Sequence, residues 1–236
     1  MLGKLIKYDF KAIGKQMFPV YGVMLVLSLL LSLMIKLNFG ENGIFGTMMF
    51  LYAISLLASS FGTVYCVVKR FRDSLLKDEG YLYFALPVKT STHIIDKVLI
   101  ALIWGFMTGL AMLLSSLIYV LILGSIRSLS FEFQQLLRML GMVDKDIIIS
   151  LLRALLLSSI ETIAMILFIY SIFAVGHLFG KHQMLASVVF AIIVMVIRIN
   201  SLTADSYILL YIFPLAGCII YSFITWYILD RKLNLE

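Results

Sequence analysis

Few residues in this chain are of types that could do chemistry. They are Glu161, three histidines (His93, His177, His182), two cysteines (Cys66, Cys218), and the run Gly176-His177-Leu178-Phe179-Gly180-Lys181-His182. A phosphate-binding loop needs G-x-x-x-x-G-K-[ST], so that backbone amides and a lysine hold phosphate while a hydroxyl holds magnesium. Here the glycine spacing is one residue short and His182 stands where the hydroxyl belongs. His177 and His182 have no neighbouring Cys or carboxylate to complete a tetrahedral metal set, so the histidines read as interfacial polar residues. The cysteines lack C-x-x-C spacing and lie inside hydrophobic runs, which suits a small apolar role. No H-E-x-x-H or paired-glutamate motif supports an intramembrane protease. The expectation is a chain that is not an enzyme, with no catalytic residues and no metal or cofactor of its own.

Glu161 stands apart because it falls within the apolar run 147–176. A charge at that depth is costly and usually faces a bundle interior or a water path. Glu161 is therefore the candidate residue for a translocation path. A protonated acid, or a structural pair with Arg153 or Arg198, is the alternative. Arg153 lies eight residues earlier on the same helix, about 12 Å by rise, which is too far for a direct pair.

The segment 69–97, KRFRDSLLKDEGYLYFALPVKTSTHIIDK, differs from everything around it. It carries six of the nineteen Lys and Arg residues (Lys69, Arg70, Arg72, Lys77, Lys89, Lys97) between two long hydrophobic runs. It reads as a water-exposed basic loop. Helical spacing of Arg70, Phe71, Leu75 and Leu76 continues the preceding helix past Val68. Gly80 permits a sharp turn, and Pro87 biases Leu86 away from helix. Ser91 or Thr92 can cap the next helix. The tip combines Leu76, Asp78, Glu79, Gly80, Tyr81, Leu82, Tyr83, Phe84, Leu86 and Pro87. Tyr offers large contact area with a polar handle, so this tip is a candidate surface for docking a partner. Tyr is equally at home in a membrane interface belt.

The elements that position these residues follow from composition. The chain is 62% hydrophobic and 14% charged, with a mean hydropathy of +1.06. Soluble domains carry about 25% charged residues, so a water-soluble globule is excluded. A span needs roughly 20 apolar residues. The runs predict an all-α integral membrane protein with six spans at 17–37, 43–68, 98–124, 147–176, 181–201 and 206–229, in one domain covering 1–236. The fifth span has only fourteen uncharged apolar residues (184–197) and is extended to 180–201, with Lys181 and Arg198 snorkelling to opposite interfaces. Six spans put both termini on one side with thirteen Lys and Arg residues against six on the other. That bias predicts cytoplasmic termini and a cytoplasmic 69–97 loop. It also accounts for the net charge of +6 without nucleic acid as a partner. No cleavable signal is evident.

Two flanking segments read as helices that do not span. Lys4, Lys7, Lys11 and Lys15 follow 3–4–4 spacing, opposite an apolar stripe of Leu2, Ile6, Phe10, Ile13 and Met17. Residues 1–16 therefore predict an amphipathic helix flat in the membrane interface, lysines toward anionic headgroups of the bilayer. Pro19 would then occupy the first turn of span one. On the other side, 130–140 predicts a short amphipathic helix with Phe133, Leu136, Leu137 and Leu140 apolar.

At the loop, Glu79-Gly80-Tyr81-Leu82-Tyr83-Phe84-Ala85-Leu86-Pro87 resembles an E-G-Y-L-x-x-x-L-P phrase. That phrase follows span two in the membrane subunits of ABC-2-type ATP-driven exporters from Gram-positive bacteria. The opening LGKLIKYDFKAIGKQMFP and the six-span layout are similar too. In size the chain most resembles permeases that export phenol-soluble modulins and other amphipathic antimicrobial peptides. Lantibiotic-immunity permeases are close to it as well. The resemblance implies a coupling helix in the loop after span two, seated in a separate ATPase subunit present in two copies. It also implies a second permease copy forming a homodimer, ATP and Mg held by the ATPase, and amphipathic peptide cargo moved across the bacterial cytoplasmic membrane. Met48, Met49, Phe50, Met107 and Met112 would offer flexible apolar surface to such cargo. Two other readings remain: a non-transporting peptide-immunity or sensor subunit, and an ion-coupled secondary transporter that uses Glu161.

Overall fold

The computed structural model describes residues 2–37, 43–76, 89–123, 145–202 and 207–231. Every regular element among them is helical: α1 Leu2–Lys36, α2 Gly43–Leu75, α3 Thr90–Leu123, α4 Lys145–His177, α5 Gln183–Leu202 and α6 Tyr207–Arg231, with a 3-10 turn at Gly180–His182 before α5. Five helices, α1 to α4 and α6, are long and apolar enough to cross a membrane. The architecture is that of a multi-pass membrane protein. A backbone can enter hydrocarbon only if its own N–H and C=O groups pair within the segment, which helices achieve.

Four expectations are revised. First, α1 is one uninterrupted helix, so the amphipathic segment and span one are continuous and Pro19 lies inside it rather than in a first turn. Its four lysines are exposed as the spacing requires, but the buried stripe runs Leu5, Asp9, Ile13, Met17, leaving Leu2, Ile6 and Phe10 half-buried. Second, the segment 69–97 is much less loop than expected. Residues up to Leu75 belong to α2 and those from Thr90 belong to α3. Third, the fifth span cannot start at Gly180 as α-helix, because residues 180–182 form the 3-10 turn. Its apolar portion, Gln183–Ile199, is shorter than the other five. Fourth, His93 is fully buried, not interfacial. The 130–140 helix lies outside the described residues.

The chain groups into two compact units. One consists of Met1–Asp9, Val67–Leu102 and Leu151–Glu236; the other of Phe10–Cys66 and Ile103–Ser150. The second unit is held inside by hydroxyls and one aromatic nest. Tyr21 Oη lies 2.7 Å from Thr108 Oγ1 and 3.4 Å from Thr63 Oγ1, and the two threonine oxygens are 2.8 Å apart. Each threonine hydroxyl also donates to the carbonyl one turn back, Ser59 or Trp104, at 2.7 Å. Farther along, Ser28 donates to the Ser115 carbonyl at 2.8 Å and Tyr52 Oη meets Ser115 Oγ at 3.0 Å. Cys66 is buried and donates to Gln16 Oε1 at 3.1 Å. Trp104 is fully buried; Phe10 stacks on it at 4.9 Å and Phe18 meets it edge-on at 5.6 Å.

In the first unit, α4 and α5 form a tight helical hairpin. A Cβ at Gly176 would fall 2.0 Å from Ser187 Oγ and 2.9 Å from the Gln183 carbonyl oxygen. Gly180 takes φ +48° in the turn, the left-handed region that glycine enters without cost. The two glycines of the near-miss phosphate motif are thus accounted for by the hairpin. Ser187 donates to the Ile172 carbonyl at 3.2 Å, and Phe168 packs against Tyr221 of α6 at 5.3 Å between ring centroids.

Candidate functional site: a buried charge cluster beside the 77–88 segment

Two helix ends border residues 77–88, the last turns of α2 and the first turns of α3, and both carry charge inward. Asp9 on α1 is fully buried. Its Oδ1 accepts from Arg70 Nε of α2 at 2.7 Å and its Oδ2 accepts from Lys97 Nζ of α3. Asp96 is also fully buried and its Oδ2 lies 3.7 Å from the same Lys97 ammonium. Two carboxylates and two cations thus come together. Asp9 is paired and hydrogen-bonded, as a buried charge must be, whereas neither Asp96 oxygen has a hydrogen-bond partner among the described residues. Arg70 keeps partial contact with solvent, its side chain 22% exposed, whereas Lys97 is 2% exposed.

Neutral groups complete the cluster. Tyr170 of α4 donates from its hydroxyl to the Lys97 carbonyl at 3.0 Å. Phe71 of α2 stacks on the Tyr170 ring, centroids 4.1 Å apart and planes 7° from parallel. Ser74 donates back to the Arg70 carbonyl at 2.6 Å. His93 sits one turn before Lys97 and is fully buried. Thr90, the first residue of α3, donates to Asp230 Oδ1 at 2.8 Å and so ties α3 to the end of α6.

Local sequence explains this arrangement. Buried positions on α3 run His93, Lys97, Ile100, Trp104, Thr108, Ala111, Ser115, a 3.6-residue stripe in which Lys97 occupies a core position. On α2 the buried positions Val67, Phe71, Ser74 and Leu75 do the same. What the charge cluster can do is fix position: α1 is bonded to both helices that lead into 77–88, so a displacement of either helix end must stretch or break bonds to Asp9.

Of the residues expected to dock a partner, Leu76 is buried directly after α2. Asp78, Glu79, Gly80, Tyr81, Leu82, Tyr83, Phe84, Leu86 and Pro87 lie outside the described residues. Of the interface set, Lys4, Lys7, Lys11 and Lys15 are exposed, and Phe10 is half-buried. Two of the six cations assigned to a water-exposed loop, Arg70 and Lys97, instead point inward to Asp9. Glu161 is paired, its Oε1 3.4 Å from Arg198 Nη2. Arg198 thereby serves Glu161 on α4 rather than only anchoring α5. Among the described residues no group of three or more His, Cys, Asp or Glu converges as a metal site would require.

Asp9, Asp96 and Tyr170 were not foreseen from the sequence. The signal for Asp9 was present: it is the lone acid among four lysines, spaced by four from Leu5 and from Ile13. Nothing local marks Tyr170, since its role depends on α4 reaching the α3 backbone.

No protein-family model matches the chain, and neither the curated proteins nor the solved structures contain a match to it.

Proposed function

We propose that this chain is the membrane subunit of an ATP-driven ABC-2-type exporter, working with a separate ATPase and moving amphipathic peptides out of the cell or membrane. The observation that carries the reading is the placement of the Glu79–Pro87 phrase. It lies in the stretch joining α2 and α3, whose ends are both bonded to Asp9. A coupling element must transmit force, and a loop on frayed helix ends would dissipate it. Anchored by Arg70 and Lys97, a push on residues 78–87 is handed to α1, α2 and α3 together. The termini and this loop are cytoplasmic in this reading, two permease copies form the transporter, and ATP and Mg reside in the partner. Exposed Met49 and Phe50 supply adaptable apolar surface of the kind amphipathic cargo needs. The ion pair of Glu161 with Arg198 argues against an ion-coupled carrier, because a carboxylate that already has a cation is a poor site for a transported one.

The test is a mild-detergent pull-down of the tagged chain from its native membranes, with co-purifying proteins quantified. A P-loop ATPase in stoichiometric amount, lost when Tyr81 and Leu82 are replaced by charged residues, is the expected result. A partner-free chain under conditions that keep other ABC complexes intact would sink the proposal and favour the immunity or sensor reading.

A further inference from the structure

A second feature of the first unit has no part in that reading. A half-open cleft of about 450 Å³ lies between the end of α2, the end of α4 and the start of α5. That volume is within the ~300–1,000 Å³ typical of ligand sites. Most of its lining is apolar: Ile172 and Phe173 from α4, Met184, Val188 and Ala191 from α5, and Leu76 after α2. Arg72, His177, Gln183 and Ser187 give it polar groups. From His177 to Ile172 the α4 wall runs about 7.5 Å from a polar to an apolar residue, and from Gln183 to Ala191 the α5 wall runs about 12 Å past Met184 and Ser187. Arg72 is 47% exposed, and its Nε lies 3.9 Å from the Asp73 carboxylate. Gly176 lets α4 and α5 touch at the cleft wall, which fixes its shape.

A uniformly greasy slot would accept any hydrocarbon, and a polar one would accept a water-soluble ligand. A mainly apolar cleft with an arginine in its wall matches an amphiphile with an anionic head. Its His177 and Gln183 lie where α4 turns into α5, the level at which spanning helices leave the hydrocarbon. Basic pockets between membrane helices at that level take anionic lipid headgroups. We propose that this cleft binds an anionic phospholipid of the adjoining leaflet, one acyl chain between α4 and α5 and its phosphate at Arg72 and His177. The inference needs a membrane protein but no ATPase partner. It also places a lipid against Leu76, the residue at the base of the 77–88 segment.

The experiment is native mass spectrometry of the full chain in neutral detergent, titrated with phosphatidylglycerol or with phosphatidylcholine of the same acyl chains. One phosphatidylglycerol retained per chain, with a preference of about fivefold or more over phosphatidylcholine, is expected; one basic contact at the surface contributes about that much. Arg72→Gln should bring the two lipids to near-equal retention, Ala191→Phe should lose both, and Arg153→Gln, an exposed control, should change neither. Equal retention by the unaltered chain, or an undiminished preference in Arg72→Gln, overturns the proposal. So does displacement of phosphatidylglycerol by an equal concentration of oleate, which assigns the cleft to free fatty acid, or by a cationic amphipathic peptide, which assigns it to cargo. As a readout independent of variant folding, phosphatidylglycerol with a photoreactive acyl chain in vesicles should label α4 and α5 near Ile172 and Val188. Labelling absent from both segments counts against the proposal.

Discussion

The two units solve the same problem by different chemistry. Among the described residues each encloses polar side chains that join helices, yet the second uses neutral groups, chiefly hydroxyls, whereas the first uses ions. Tyr21, Thr63 and Thr108 donate and accept without net charge, so their desolvation is modest and each hydrogen bond contributes about 1 kcal/mol. Asp9, Arg70, Lys97 and Asp96 carry full charges whose removal from water costs several kcal/mol per ion, offset only by one another. Hydroxyl contacts can be lost one at a time. The ionic cluster fails as a whole, because loss of any member leaves a buried charge unmatched. A region built to hold helix ends in register against an applied force gains from that all-or-none character, and a region that only packs does not.

The most disruptive way to break this contrast is Lys97→Met. It leaves two buried carboxylates facing Arg70 alone, and a loss of about 3–5 kcal/mol is expected. The readout is the thermal midpoint of the purified chain in detergent. Adding Asp96→Asn to Lys97→Met should recover part of the loss; no recovery would mean Asp96 is not electrostatically linked to Lys97. Gly176→Ala comes next. Its methyl meets the Gln183 backbone, which cannot rotate away, and a cost of about 1–3 kcal/mol is expected from overpacking. Ser187→Ala in the same chain should relieve it only partly, since the backbone contact remains. A smaller effect follows from Tyr21→Phe in the hydroxyl network, about 1 kcal/mol. A Tyr21/Thr108 double-mutant cycle should give a coupling well below that of an Asp9/Lys97 cycle. Equal couplings would erase the distinction between the two regions. Smallest is Glu161→Gln: a polar contact between membrane helices contributes about 0.6 kcal/mol on average, so the thermal midpoint should move little. Loss of transport with an unchanged midpoint would restore Glu161 as a translocation residue.

Much of the helical layout was legible because apolar runs of span length and the 3.6-residue period are properties of contiguous sequence. The α2 extension past Val68 follows from Phe71 and Leu75 keeping that period, and the exposure of Lys4, Lys7, Lys11 and Lys15 follows from theirs. The charge cluster was harder to see, since a basic residue near a span end is ordinarily topological. Nothing at Lys97 itself distinguishes a core lysine from a snorkelling one; the difference lies in Asp9, nearly ninety positions earlier. The continuity of α1 was missed for a different reason. Proline in a helix interior usually kinks or ends it, but local propensity yields where packing on both sides holds the helix.

The nest around Trp104 has a spectroscopic consequence. The chain has two tryptophans, Trp104 and Trp226. Trp104 is sealed among Phe10, Phe18 and Tyr21, and its indole Nε1 has no hydrogen-bond partner among the described residues. An indole in dry aromatic surroundings with no acceptor emits at short wavelength and is out of reach of aqueous quenchers. With Trp226→Phe, the chain becomes a single-emitter protein that reports on its own interior. Any rearrangement that admits water beside α1 and α3 will register as a red shift in unlabelled protein, on the timescale of the rearrangement itself.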